Sequence, residues 1–177
     1  MSASAPRIRV WDGLVRLLHW SLAAAVLSAW TFDESGPLHR GIGYVAAACV
    51  LARLTWALLR PGAASLRSLR PSIADTWRYV RAGAPRRLEH DPLGVWMVWA
   101  LWLLVLLLAV TGWMSRLDAF WGDEGVHELH AGLANLLVVA AGIHVVAVLA
   151  MSVRWRENLP LAMLTGAKRD DDRTTTR

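Results

Sequence analysis

Residues 130–144 read HAGLANLLVVAAGIH, an apolar run with a histidine at each end. His130 and His144 are fourteen residues apart. That is four turns at about 3.5 residues per turn, the period of helices packed in a left-handed bundle. Both imidazoles therefore leave one face of a helix. At about 1.5 Å rise per residue they stand about 21 Å apart along its axis. In a hydrocarbon core about 30 Å thick, one lies towards each side. Imidazole is costly in lipid, and there it marks function by default.

The rest of the chain agrees with a membrane reading. It has 177 residues, 55% of them hydrophobic, with eleven tryptophans and a mean hydropathy of +0.36. Four stretches are long enough to span: 13–31, 39–59, 94–114 and 130–153. The first carries only Arg16, and the second Arg40 and Arg53. The third and fourth carry no charge. The first stretch is too long for a signal-peptide core, and no convincing small-residue cleavage site follows it, so it is read as a retained helix. The expectation is an all-α four-helix transmembrane bundle forming one domain over 1–177, with its core over about 9–169.

Charge orients the bundle. With both termini inside, the inner segments take up all the basic residues except Arg40, Arg53 and Arg116, out of 19 in total. Such a bias places both termini in the cytoplasm. It also explains the pI near 10.6 by topology. The basic stretches are interrupted by spans and carry no nucleic-acid-binding motif, so nucleic acid is excluded as a partner.

The connections are unequal. Residues 33–38, with Gly36 and Pro37, make a tight outer turn, whereas 60–92 is a long inner connection. Within that connection Ser72 is a candidate N-cap, and Ile73, Trp77 and Val80 recur at helical spacing among arginines. A short amphipathic helix lying on an anionic lipid surface follows from this pattern. ENLPLAMLTG reads as a second interfacial piece. The terminal KRDDDRTTTR has no apolar period, and a disordered tail is expected over 170–177.

Depth pairs the histidines. His19 lies two turns into the first span, near its inner end. His39 opens the second span at the outer end. The fourth span runs from outside to inside, so His130 is outer and His144 inner. The pairs are then His19 with His144, and His39 with His130. Two neutral imidazoles from different helices are what bis-histidine haem ligation requires. There is no Cys-x-x-Cys-His, so such haems are non-covalent, of b type. The lone Cys49 reads as a small packing residue. His127 competes with His130 for the outer site, being three residues away and nearly on the same face. It sits among Asp123, Glu124 and Glu128, nearer water, and His130 is preferred. His90, before Asp91 and Pro92, reads as solvated or interfacial.

Several blocks together resemble a known family. RVWDGLVRLLHW, HRGIGYVAAACVLARLTW, HDPLGVWMVWAL, HELHAGLANLLVVAAGIHVVAVL and RENLPLAMLTGAKR look like successive blocks of the bacterial cytochrome b561 family. The closer likeness is to the branch related to the cytochrome b subunit of nickel-iron hydrogenases. The resemblance covers about Arg9 to Arg169. It implies a dihaem, four-helix protein of the bacterial inner membrane, with His19, His39, His130 and His144 as ligands to two haem b groups. His127 departs from the family pattern.

Other residues acquire candidate roles. Arg16, Arg40 and Arg53 are placed to bind haem propionates by charge-assisted hydrogen bonds, or to reach lipid phosphates. Gly41, Gly43, Gly132 and Gly142 lie near the histidines. They serve either close helix packing or room for a porphyrin face. Trp30, Trp96, Trp113 and Trp121 mark the membrane interfaces. Trp20, Trp56, Trp99 and Trp102 read first as lipid-facing bulk. An acidic outer rim either steers a basic redox partner or reflects the charge bias. The leading function is electron transfer across the membrane, between a periplasmic partner such as a cytochrome c or an oxidoreductase and the quinone pool. The alternatives are a membrane anchor for a periplasmic oxidoreductase such as a hydrogenase and, with less support, a haem-free transporter. No span holds the paired acid and base a transporter would favour.

Overall fold

Four helices are long and apolar enough to cross a membrane. They are α1 (Gly13–Thr31), α2 (Pro37–Leu59), α4 (Pro92–Met114) and α5 (Glu124–Arg154). They come from a computed structural model that describes residues 7–32, 36–88 and 90–170. Part of the turn over 33–38 and the tail beyond Asp170 fall outside these described residues.

Each start has a local cause. Asp12, Asp91 and Asp123 cap α1, α4 and α5, accepting hydrogen bonds from Val15, Gly94 and Val126 N–H at 2.8, 2.9 and 3.0 Å. Proline occupies the first turn of α2 and of α4. These caps explain one difference from the sequence reading. Helix α5 begins at Glu124 rather than His130, because the Asp123 cap and an acid in the first turn hold polar residues in helix before the apolar run begins.

The amphipathic segment is α3 (Ile73–Arg81). Ser72 caps it, accepting from Asp75 N–H at 3.2 Å. Its Ile73, Trp77 and Val80 are exposed while Tyr79 is buried, the division expected of a helix lying on lipid. The second interfacial piece is α6 (Leu159–Thr165), capped by Asn158.

Packing proceeds in a chain: α1 lies on α2, α2 on α4, and α4 on α5. Val50, Ala57, Trp102, Val105 and Leu137 form the centre of the core. Cys49 is buried beside it, as a packing residue should be. Helix α5 makes no extensive backbone contact with α1 or α2. Only Val126 and Leu137 are buried along its length. Its exposed side carries Leu129, Leu136, Val139, Val146 and Val153, apolar surface suited to lipid.

A strand pair from near the two ends of the described residues closes one end of the bundle, the cap end. Strands β1 (Arg7–Arg9) and β2 (Ala167–Arg169) pair antiparallel, Ile8 opposite Lys168. The carbonyl of Gly166 accepts from the N–H groups of Val10 and Trp11 at 2.8 and 3.1 Å. Gly166 has φ of 82°, and a Cβ there would lie 2.6 Å from the Trp11 carbonyl oxygen, so only glycine fits. Arg86 donates to both Glu157 carboxylate oxygens, at 2.9 and 3.1 Å, and to the Arg169 carbonyl at 2.7 Å. Arg169 N–H donates to Glu157 at 2.7 Å. Burial alone would raise the Glu157 carboxyl. The Arg86 and Arg169 hydrogen bonds and the charges of Arg86 and Lys168 outweigh it, and its pKa lies below the usual value.

The polar end of the chain therefore differs from expectation. Lys168 and Arg169 are in a strand and Asp170 is buried. Hydrogen bonding to a distant segment orders residues that have no apolar period of their own.

Candidate functional site

Two pairs of imidazoles cross the bundle at two depths. At the cap end His19 of α1 faces His144 of α5, with ring centroids 6.4 Å apart and planes at 57°. At the far end His39 of α2 faces His130 of α5, with centroids 6.1 Å apart and planes at 70°. The unbroken helix α5 sets the two levels about 21 Å apart. These are the pairs that depth selected. The helices they join, α1 with α5 and α2 with α5, are those that lack extensive backbone contact.

The spacing can be tested against haem. An imidazole nitrogen stands about 2.0–2.1 Å from a first-row metal, and the ring centre about 1.1 Å further on, so two rings on opposite faces have centroids about 6.2–6.4 Å apart. The His19–His144 pair at 6.4 Å falls in this range and the His39–His130 pair at 6.1 Å lies 0.1 Å below it. Rotation about the metal–nitrogen axis leaves this distance unchanged, so tilted planes are compatible.

The nitrogen chemistry fits as well at the far end. His39 Nδ1–H donates to the Ala29 carbonyl at 3.0 Å. A carbonyl can only accept, so the lone pair is on His39 Nε2. His130 Nδ1 lies 2.8 Å from Thr111 Oγ1. The Thr111 hydroxyl has one proton and two carbonyls to receive it, Leu107 at 3.0 Å and Leu108 at 3.2 Å. With that proton on a carbonyl, its oxygen accepts from His130 Nδ1–H, the tautomer that leaves Nε2 with the lone pair. At the cap end His19 Nδ1 is buried with no hydrogen-bond partner among the described residues. Trp20 stands edge-on to the His19 ring, centroids 5.1 Å apart.

Glycines shape the surroundings. At Gly41, Gly43, Gly132 and Gly142 nothing lies within 4 Å of where a Cβ would stand. No neighbouring helix packs closely against these four positions. Gly112 is different: a Cβ there would meet His130 Cε1 at 3.3 Å. Neither Thr111 nor Gly112 was singled out in the sequence. The available signal was a hydroxyl and a glycine together, late in an otherwise uninterrupted apolar span.

The arginines are spread widely. Arg40 follows His39 at the far end. Arg53 stands fourteen residues after His39, on the same face of α2 and deeper towards the cap. It is buried, donates to the Ala64 carbonyl at 3.0 Å, and stacks 5.8 Å from the Trp102 ring centre. Arg16 donates to the Leu164 carbonyl and packs against Gly166, tying α1 to α6.

Two other expectations change. His90 is not solvated: its ring lies 4.6 Å from that of Trp11, and its Nδ1 is buried without a partner among the described residues. Burial, then the charges of Arg53 and Lys168, push its pKa down to about 4. Packing against Trp11 leaves the residue half-buried and withdraws its Nδ1 from water. Trp102 is buried, Trp56 donates to Asp12 at 2.9 Å, and Trp99 donates to the Leu69 carbonyl at 2.7 Å. Trp102 is therefore internal rather than lipid-facing, while Trp56 and Trp99 are half-buried with their indole N–H groups committed to protein acceptors. Trp30, Trp96, Trp113 and Trp121 are exposed as expected.

His127 is exposed and lines an open cavity of about 810 Å³ with Arg116, Phe120, Trp121, Asp123 and Glu128. The ring brought to His39 is that of His130.

A membrane-spanning helical bundle with cross-helix histidine pairs defines the class. A family model for prokaryotic cytochrome b561 matches residues 10–166, and the chain belongs to that family. It is a multi-pass bacterial membrane protein of a family that binds b-type haem. Comparison with curated proteins returns no match.

Proposed function

We propose that the chain carries electrons across the bacterial inner membrane through two b-type haems. His19 and His144 hold one, at the cap end. His39 and His130 hold the other, at the far end. The observation that carries this reading is the pair of imidazole spacings, 6.4 and 6.1 Å, at two depths on helices that otherwise stand apart. The arginine bias puts the cap end, and so both termini, in the cytoplasm.

Bound haem supplies the one-electron iron couple. The chain supplies everything else. Four imidazoles would hold the two irons, and Ala29 and Thr111 fix the tautomers of two of them, His39 and His130. Gly43, Gly132 and Gly142 leave room beside the rings. Arg40 and Arg53 are the candidates for propionates, and Arg16 secures the cap. Apolar faces of α1, α2 and α5 exclude water. Electrons pass between a redox partner on the periplasmic side and the quinone pool or another respiratory component.

The test is stoichiometry with spectroscopy on purified protein. Two acid-acetone-extractable haems per chain, both low-spin and six-coordinate, are expected. A ratio of one, or folded colourless protein, overturns the dihaem reading.

A further inference from the structure

The two histidine pairs differ in what lies behind the rings. Behind His130 stands Thr111, one of the few polar side chains fully buried within the bundle. Its hydroxyl is the middle member of a relay. His130 Nδ1–H donates to Thr111 Oγ1 at 2.8 Å, and Thr111 O–H donates on to the Leu107 or Leu108 carbonyl. Gly112 leaves room for the same imidazole, since a Cβ there would stand 3.3 Å from His130 Cε1. The ring is thus held at its edge by a hydrogen bond. No equivalent bond reaches His19 Nδ1 among the described residues.

We infer that Thr111 is a positioning residue that tunes the far-end haem alone, lowering its reduction potential. The inference rests on the dihaem reading above. A hydrogen bond accepted from Nδ1–H leaves more electron density on Nε2 and makes the imidazole a stronger donor. A stronger donor favours the ferric over the ferrous state, and hydrogen bonding beyond the ligand is among the levers that set haem potential. Because the Thr111 proton is itself committed to a carbonyl, the oxygen is polarised towards accepting, which strengthens the effect. The bond also restrains rotation of His130 about the metal–nitrogen axis, so ligand orientation is sharpened as well as basicity.

The experiment compares wild type with Thr111→Val, Thr111→Ala and Thr111→Ser, by redox titration of the visible spectrum and by EPR of the ferric state. Valine keeps the shape and removes the hydroxyl. Alanine removes the hydroxyl without risk of crowding. Serine retains it. In Thr111→Val and Thr111→Ala one haem is expected to titrate at higher potential, by up to about 59 mV, tenfold in a one-electron equilibrium. Its low-spin EPR signal broadens or moves. The second haem is unchanged, and Thr111→Ser is close to wild type. His39→Ala, which removes the far-end haem, should abolish the component that moves.

Unchanged potentials and EPR in the alanine variant, with both haems present, overturn the inference and leave the dihaem reading standing. So does a shift shared equally by both haems. If valine alone loses haem while alanine matches wild type, the valine effect is steric, and the inference fails again. A wild-type protein without two haems removes the dihaem reading, and this inference with it.

Discussion

The far end and the cap end of the bundle achieve order by opposite means. At the far end the histidines themselves are anchored: His39 to the Ala29 carbonyl and His130 to Thr111. The surface beyond them is an open cavity lined by Arg116, Trp121, Asp123, His127 and Glu128. At the cap end His19 Nδ1 has no such anchor among the described residues. There the surroundings are tied down instead, by the β1–β2 pair, the Arg86–Glu157 ion pair and a folded-in loop. The lesson concerns where restraint is needed. An imidazole near a loosely closed end is oriented by its own hydrogen bond. One deeper in a sewn structure is surrounded by packing instead.

The comparison breaks first on the pairing. His39→Ala and His130→Ala should remove the same spectral component completely. His19→Ala and His144→Ala should remove the other. His127→Ala should keep both low-spin signals. If His39→Ala and His144→Ala abolish one shared component, the two-level arrangement fails.

The cap should be energetically separate from the far end. Glu157→Ala removes the carboxylate that accepts from Arg86, at a site where both side chains are mostly buried, with 14% and 7% exposure. A loss of about 3 kcal/mol is expected, the size found when one partner of a buried pair is removed. Thermal unfolding in detergent measures it. Replacing both Arg86 and Glu157 by alanine should recover part of the loss. The far-end haem spectrum should not move in either variant while the protein is folded.

A smaller effect concerns pH. His90 has a folded pKa of about 4, below its ordinary 6.5. On acidification the unfolded chain takes up this proton first. The contribution of neutral, buried His90 is therefore fully present above about pH 6.5 and is lost as pH falls from there through 4. Glu157 is depressed below its ordinary 4.5, so its contribution is lost only at still lower pH. The melting temperature should thus decline from pH 6.5 to 4, and His90→Gln should flatten that part of the profile. An unchanged slope would mean that the loop is not held against Trp11 in solution.

Much was readable in the residues because membranes impose simple rules. Backbone polar groups in lipid must be satisfied within helices, so apolar length alone marked four spans. Helical rise turned the numbers 19, 39, 130 and 144 into depths, and depth selected the partners that stand 6.4 and 6.1 Å apart. The Ser72 cap and the Ile73, Trp77, Val80 stripe located α3. These features are local or periodic, and a single stretch of chain specifies each one.

What tertiary structure decided is of a different kind. Strand β2 has no apolar period and forms only because β1, 160 residues earlier at Ile8 against Lys168, offers it hydrogen bonds. His90 is removed from water by Trp11, and Trp102 from lipid by the helices around it. Thr111 looks like an isolated hydroxyl in an apolar span until α5 brings His130 against α4. Patterns along one helix reveal which face and depth a residue occupies. They carry no record of which donor on another helix meets which acceptor, because that depends on distances set only when the helices pack.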